Sequence, residues 1–188
     1  MNPAVMQPHF ILNFWFTELT PKHHFAKDPA LDEAIRTRFG ATLAAAARCE
    51  LFAWRTTPEG RLAEVLVLDQ FSRNVYRDTP QAFAQDALAL ALAQELVARG
   101  QDRSLPLAQR SFAYMPYMHS ESDMVHTQAA LLFAQPGLED TLRFEQRHQA
   151  IIERFGRYPH PSIPNLCHLG PRVHAEELAF LSEPGSGF

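Results

Sequence analysis

Between Thr79 and Gly100 the chain reads TPQAFAQDALALALAQELVARG, a stretch that carries a start, a body and a stop for one helix. Thr79 suits the cap, Pro80 the first helical position and Gly100 the left-handed stop after Arg99. Elsewhere, too, Gly and Pro fall mostly between periodic segments, and no run keeps the alternation of a half-buried strand for more than a few residues. The spacing therefore predicts an almost wholly helical chain.

Further helices follow from the same signals. In DPALDEAIRTRFGATLAAAARCEL, Leu31, Ile35, Phe39 and Leu43 recur at four-residue steps with Gly40 tolerated, which is one face of a helix. PEGRLAEVLVLDQFSRN carries Leu62, Val65, Leu66 and Leu68. GLEDTLRFEQRHQAIIERFG puts Leu142, Phe144, Ile151, Ile152 and Phe155 on a broad stripe that Gly156 stops. Shorter helices are expected around FILNFWFTEL, from Pro106 to Tyr114, from Ser120 to Ala134 and from His174 to Leu181. Connections are short, which favours antiparallel neighbours. The exception is RYPHPSIPNLCHLGPR, residues 157–172, whose four prolines predict an irregular surface arm.

Composition narrows the partners. At 188 residues one domain spanning 1–188 is expected, with a single sizeable core. Seventeen Lys and Arg against 21 Asp and Glu give a formal charge of −4, which argues against a nucleic-acid partner. Apolar segments are interrupted well short of the roughly 18 residues of a membrane span, so no membrane partner is expected. Cys49 and Cys167 are far apart and outside any C-x-x-C pattern, and the N-terminus lacks a secretory signal, so the expected setting is cytoplasmic with reduced thiols.

Three clusters can carry chemistry. In VLDQFSRNVYR, Asp69 and Arg73 share a helix face, as do Gln70 and Asn74. On a helix buried by Leu66, Leu68 and Phe71, such groups need mutual pairing or a ligand. In SFAYMPYMHSESDM, Pro116 should end one helix and Ser120 cap the next, with Glu121 and Asp123 favoured in its first turn by the helix dipole. Capping leaves His119 unexplained, beside a rim that includes Tyr114. In EQRHQAIIERFGRYPH, His148 lies on the apolar stripe, where a lone histidine is more often a hydrogen-bonded core residue, whereas Arg157 and His160 belong to the arm. No G-x-S-x-G elbow, phosphate loop, dinucleotide fingerprint or H-E-x-x-H pair is present, so neither a cofactor nor a metal is expected.

ILNFWF, LDQFSRNVYRDTPQAFAQDALALALA, SFAYMPYMHSE and HQAIIERFGRYPH, in that order and near these separations, resemble the bacterial family known as domain of unknown function 924. The resemblance spans nearly the whole chain. It implies an all-α fold of antiparallel helical hairpins in a tetratricopeptide-like right-handed array of about eight helices, and it brings no activity with it. It marks Asp69, Gln70, Arg73, Asn74, Tyr76, Asp86, Tyr114, Pro116, His119, Ser120, Glu121, His148, Gly156, Arg157, Pro159 and His160 as matching positions. Ser72 replaces the family's usual Pro, Pro161-Ser162 its usual Arg-Asn, and the tail reads LGPRVHAEE.

The expected function is a binding module. Asp69, Arg73, Asn74, Tyr114, His119, Glu121, His148, Arg157 and His160 would form a polar pocket for a small polar or anionic ligand or a peptide. The alternatives are an acid–base or metal-assisted hydrolase in the same pocket, with Glu121 or Asp69 as base, and a protein–protein scaffold.

Overall fold

The computed structural model describes residues 4–159 and 175–183, and every regular element among them is helical. In chain order these are α1 (Pro8–Asn13), α2 (Pro21–His24), α3 (Pro29–Ala47), α4 (Pro58–Leu66), α5 (Ser72–Val75), α6 (Asp86–Ala98), α7 (Leu107–Met118), α8 (Asp123–Phe133), α9 (Glu139–Phe155) and α10 (Ala175–Leu181). From α6 to α9 each helix packs on the next, as helical hairpins with short connections do. None of the described helices is long and apolar enough to cross a membrane.

The centre is α4, which touches α1, α6 and α7 at once. Its run of Leu62, Ala63, Val65 and Leu66 continues through Val67 and Leu68 to Phe71, and all seven side chains are fully buried. The helix is buried on every side, Glu64 included, and each large aliphatic group removed from water there contributes about 1.5–3 kcal/mol. Phe71 meets Phe14, Trp15 and Phe39, which ties the π turn after α1, Phe14–Glu18, and α3 to this axis.

Local chemistry fixes how α4 begins. Thr57 Oγ1 accepts from the Gly60 amide at 3.1 Å, Pro58 fills the first helical position, and a Cβ at residue 60 would collide with the Trp54 carbonyl. Only glycine allows the preceding 3₁₀ turn, Phe52–Thr56, to close so tightly on the helix start. That turn carries Arg55 to Glu64.

Beyond Leu66 the backbone does not stop. It widens into a π turn, Val67–Phe71, and re-enters α geometry as α5, so residues 58–75 form one continuous helical rod. The sequence predicted a helix over this range but not its widened turn, because the i→i+5 pattern leaves no mark on hydrophobic spacing.

Several boundaries differ from expectation for identifiable reasons. The Thr79 hydroxyl donates backward to the Tyr76 carbonyl at 2.7 Å and does not cap forward; Pro80–Phe83 then form a 3₁₀ turn and the α-helix starts only at Asp86. Gly100 stops it at φ 66°, as predicted. Pro116 does not end α7, which runs on to Met118. The missing amide costs on the order of 3 kcal/mol, but continuing the helix buries Tyr117 and Met118 almost completely. Ser122, not Ser120, occupies the cap position of α8, and its side chain makes no capping bond. The buried positions are Leu138 at the cap of α9 and Glu145 and Ile152 on it, at seven-residue steps, while Phe144 is 54% exposed, so the apolar stripe is rotated from the one drawn through Phe144. The expected arm and His160 lie outside the described residues beyond Pro159, as does Cys167.

Candidate functional site

Asp69 sits in the π turn and is 1% exposed. Its carboxylate is divided among three donors. Gln70 Nε2 donates to Oδ2 at 2.6 Å, while His119 Nδ1 at 2.7 Å and Arg73 Nη1 at 3.1 Å both donate to Oδ1. Arg73 Nη1 also donates to the Asp69 carbonyl at 2.9 Å, tying the guanidinium to the backbone of the widened turn. The other side of the same guanidinium forms a bidentate pair with Asp86 at 2.9 and 2.9 Å. Asp86 is in the first turn of α6, where the helix dipole favours a carboxylate. Three segments of chain thus meet on one arginine and one aspartate: the 58–75 rod, α6, and the end of α7.

Electrostatics separates the two carboxylates. Burial acts to raise the Asp69 pKa, but the charges of His119 and Arg73 and the bonds from His119 and Gln70 outweigh it and bring the value down to about 2. For Asp86 burial prevails over Arg73, and the neighbouring Asp69 charge adds to it, so this carboxyl is pushed up from its ordinary value. Arg73 loses solvation on burial, yet the two aspartates hold its pKa above the usual one. Asp69 is therefore the fixed anion of the group and Asp86 the one more readily protonated.

His119 connects this interior to the surface. Its side chain is 17% exposed, and a carboxylate held ionised accepts the proton of Nδ1. The other ring nitrogen, Nε2, makes no hydrogen bond among the described residues. A buried aspartate that orients a partly exposed histidine is an arrangement that can take up or deliver a proton.

A second polar layer lies against α8 and α9. His126 and Glu145 are both fully buried, with Nδ1 and Oε1 2.7 Å apart. His126 Nε2 faces the Ser120 carbonyl at 2.7 Å, and a carbonyl only accepts, so that nitrogen carries a proton. Tyr158 donates its hydroxyl to the Met118 carbonyl at 2.6 Å, and its amide donates to Glu121 Oε1 at 2.9 Å. His148 donates from Nδ1 to the Phe144 carbonyl at 2.8 Å and stacks edge-on against Tyr158, 5.6 Å between centroids. Burial, against the raising effect of the Phe144 bond and with help from the positive charges around it, lowers the His148 pKa to about 4, which keeps the ring neutral at pH 7.

Of the expected pocket residues, the structure joins Asp69, Arg73 and His119 by direct bonds, with His148 within electrostatic reach of His119 and Arg73. Glu121 holds the Tyr158 backbone and lies ahead of α8 instead of in its first turn. Arg157 makes a bidentate pair with Glu177 of α10 at 2.6 and 2.7 Å. Asn74 and Tyr114 are located elsewhere. Asn74 donates to Asp32 at 2.8 Å alongside Arg77, and Tyr114 donates to Asp102 at 2.6 Å with its ring against Phe133.

Five participants were not picked out as pocket residues: Gln70, Asp86, His126, Glu145 and Tyr158. Glu145 left a readable trace, since a carboxylate seven residues from both Leu138 and Ile152 sits on the buried stripe and demands a partner there. His126 leaves a similar one among the apolar residues of α8. Among the described residues no group of three or more His, Cys, Asp or Glu could hold a metal ion.

A family model described as a bacterial protein of unknown function, DUF924, matches residues 11–185. The fold is similar to a solved structure of a protein of unknown function, ATU0120 from Agrobacterium tumefaciens, at a TM-score of 0.86 and 36% identity, covering 94% of this chain and 97% of that one. No curated protein matches. With the match running over nearly its full length, the chain belongs to the bacterial DUF924 family.

Proposed function

We propose that the chain binds a small polar molecule at the surface presented by His119, and that the Asp69–His119 pair acts on that molecule as a proton acceptor. The observation that carries this reading is the 2.7 Å bond from His119 Nδ1 to the buried, ionised Asp69, on a side chain that is itself partly exposed and whose Nε2 has no hydrogen bond among the described residues. An interior salt bridge needs no titratable ring at the protein surface. A proton-transfer site does, because its acid–base group must meet the bound molecule and be held in a fixed orientation.

Charge narrows the ligand. Arg73 is already committed to Asp69 and Asp86, and Arg157 to Glu177, so neither guanidinium offers an open fork to a carboxylate or phosphate. An anionic ligand would have to break a paired arginine away. A neutral molecule carrying a hydroxyl, amide or ammonia-like hydrogen, which can donate to Nε2, meets no such cost.

The test is thermal stabilisation of the whole chain against a panel of neutral polar metabolites and, in parallel, of anions, followed by product analysis for each stabilising compound. Stabilisation by neutral donors that disappears in His119→Ala supports binding at Nε2. Turnover that falls by about 100- to 10,000-fold in that variant, the usual contribution of a positioned base, adds proton transfer. Stabilisation by anions alone, unchanged in His119→Ala, would overturn the reading.

A further inference from the structure

The backbone on either side of His119 is held by one side chain from α8 and one from the segment that follows α9. The Met118 carbonyl, one residue before it, accepts the Tyr158 hydroxyl at 2.6 Å. The Ser120 carbonyl, one residue after it, accepts His126 Nε2–H at 2.7 Å. These two donors lie 3.1 Å apart, so they form one connected clamp. His126 is in turn fixed by Glu145, and the amide of Tyr158 by Glu121.

The last carbonyls of a helix lack intrahelical partners, and near a surface water usually satisfies them. Here α7 ends at Met118 and its exit is taken over by a phenol and an imidazole that reach it from beyond α9 and from α8. Capping alone does not require so many groups. Two side-chain donors on flanking carbonyls restrict the torsions of the residue between them, and that residue is the one whose ring must meet Asp69 at 2.7 Å.

We propose that Tyr158 and His126 are positioning residues for His119: by clamping the carbonyls of Met118 and Ser120 they hold its ring in register with Asp69, so that a single tautomer presents Nε2 outward. The functional meaning of this clamp rests on the proton-acceptor reading given above; the clamp itself is testable without any ligand.

The measurement is the long-range proton–nitrogen NMR spectrum of the histidine rings at neutral pH, on the full chain with nothing bound. Tyr158→Phe deletes one hydroxyl and keeps the aromatic ring. It should replace the single-tautomer pattern of His119 by averaged ring-nitrogen shifts, while His24, whose ring bonds the Trp15 carbonyl instead, keeps its own pattern. His126→Gln, which retains a donor for Ser120, should disturb the His119 ring less than His126→Leu does. A His119 pattern identical to wild type in Tyr158→Phe would overturn the proposal, even with a lowered Tm, because a merely structural tyrosine alters stability and not the tautomer of a neighbouring histidine. Should His126→Leu fail to fold, the hydroxyl deletion decides the matter alone. A clamp that responds as expected in a protein that no ligand stabilises would leave the positioning intact and remove the binding reading.

Discussion

Glu64 and Asp69 lie five residues apart on the same helical rod, are both buried to 1% exposure or less, and answer to arginine, yet they are built for different ends. Glu64 is in regular α geometry and gives both oxygens to one residue, Arg55, through bonds of 2.7 and 2.7 Å. The pair is closed on itself: one guanidinium meets both oxygens of one carboxylate, and the Glu64 bond holds the Arg55 pKa above its ordinary value. Asp69 is in the widened turn and divides its oxygens among an amide, a guanidinium shared with a second carboxylate, and an imidazole that reaches the surface. The first arrangement can only hold the turn of residues 52–56 onto the rod, whereas the second can change its proton count without coming apart.

The largest expected effect comes from breaking the closed pair. Arg55→Met keeps most of the side-chain volume but leaves the Glu64 carboxylate uncompensated in the interior, and removing one partner of a buried pair typically costs 3–5 kcal/mol. Arg55 is 26% exposed, and water entering beside the new side chain puts the expected loss near the lower end, about 3 kcal/mol. Urea unfolding at pH 7 reads it. A loss below about 1 kcal/mol would mean that the pair behaves like an exposed one and that the contrast with Asp69 is not real.

Asp69→Asn comes next and carries its signature in pH. A carboxyl whose folded pKa is lowered from 3.8 to about 2 contributes stability that is fully present above the unfolded value, near pH 4, and is lost as pH falls through about 2. A shift of this size corresponds to about 2 kcal/mol. The wild type should therefore exceed Asp69→Asn by about that amount at pH 5 to 7, and the gap should close between pH 4 and 2. Asp86, shifted upward, runs in the opposite direction: its contribution is full below the unfolded value and is lost as pH rises through the folded one. Unfolding midpoints of both proteins across pH 2–7 make the comparison, and a gap independent of pH would remove Asp69 as the fixed anion.

The contrast also explains what the sequence could and could not disclose. Asp69 and Arg73 four residues apart on an apolar helix, and His119, were among nine expected pocket residues, and these three are bonded directly, although the cap that set His119 apart is Ser122 and not Ser120. Nothing in the spacing near Asp69 betrays the π turn that turns its carbonyl toward Arg73, because hydrophobic periodicity reports which side is buried and not which backbone bond is widened. Asn74 and Tyr114 match family motifs as well as His119 does, yet they bond Asp32 and Asp102 in separate networks. A motif residue satisfied by a structural partner and one directed at a site look alike until the partner is visible. Pro116 misled for a different reason: a local helix-breaking preference of a few kcal/mol lost to the burial of the two residues after it.

His119→Ala should have the smallest effect on stability and the most selective one on function. The mutation removes one of four hydrogen bonds on the Asp69 side chain and backbone, but Arg73 and Gln70 remain on the carboxylate, so no buried charge is left without a donor. The ring lies near the surface, and water can occupy the space it leaves beside Oδ1. A net loss of about 1 kcal/mol is expected, the ordinary value for one such bond, against about 3 kcal/mol for Arg55→Met at an equally buried carboxylate. Chemical denaturation of the two variants side by side gives the ratio. If His119→Ala costs as much as Arg55→Met, then Asp69 depends on its histidine as Glu64 depends on its arginine, and the imidazole is a structural counterion. If it costs about a third as much while abolishing ligand stabilisation, the interior keeps its own balance without the ring, which is the condition for a histidine that is free to exchange protons.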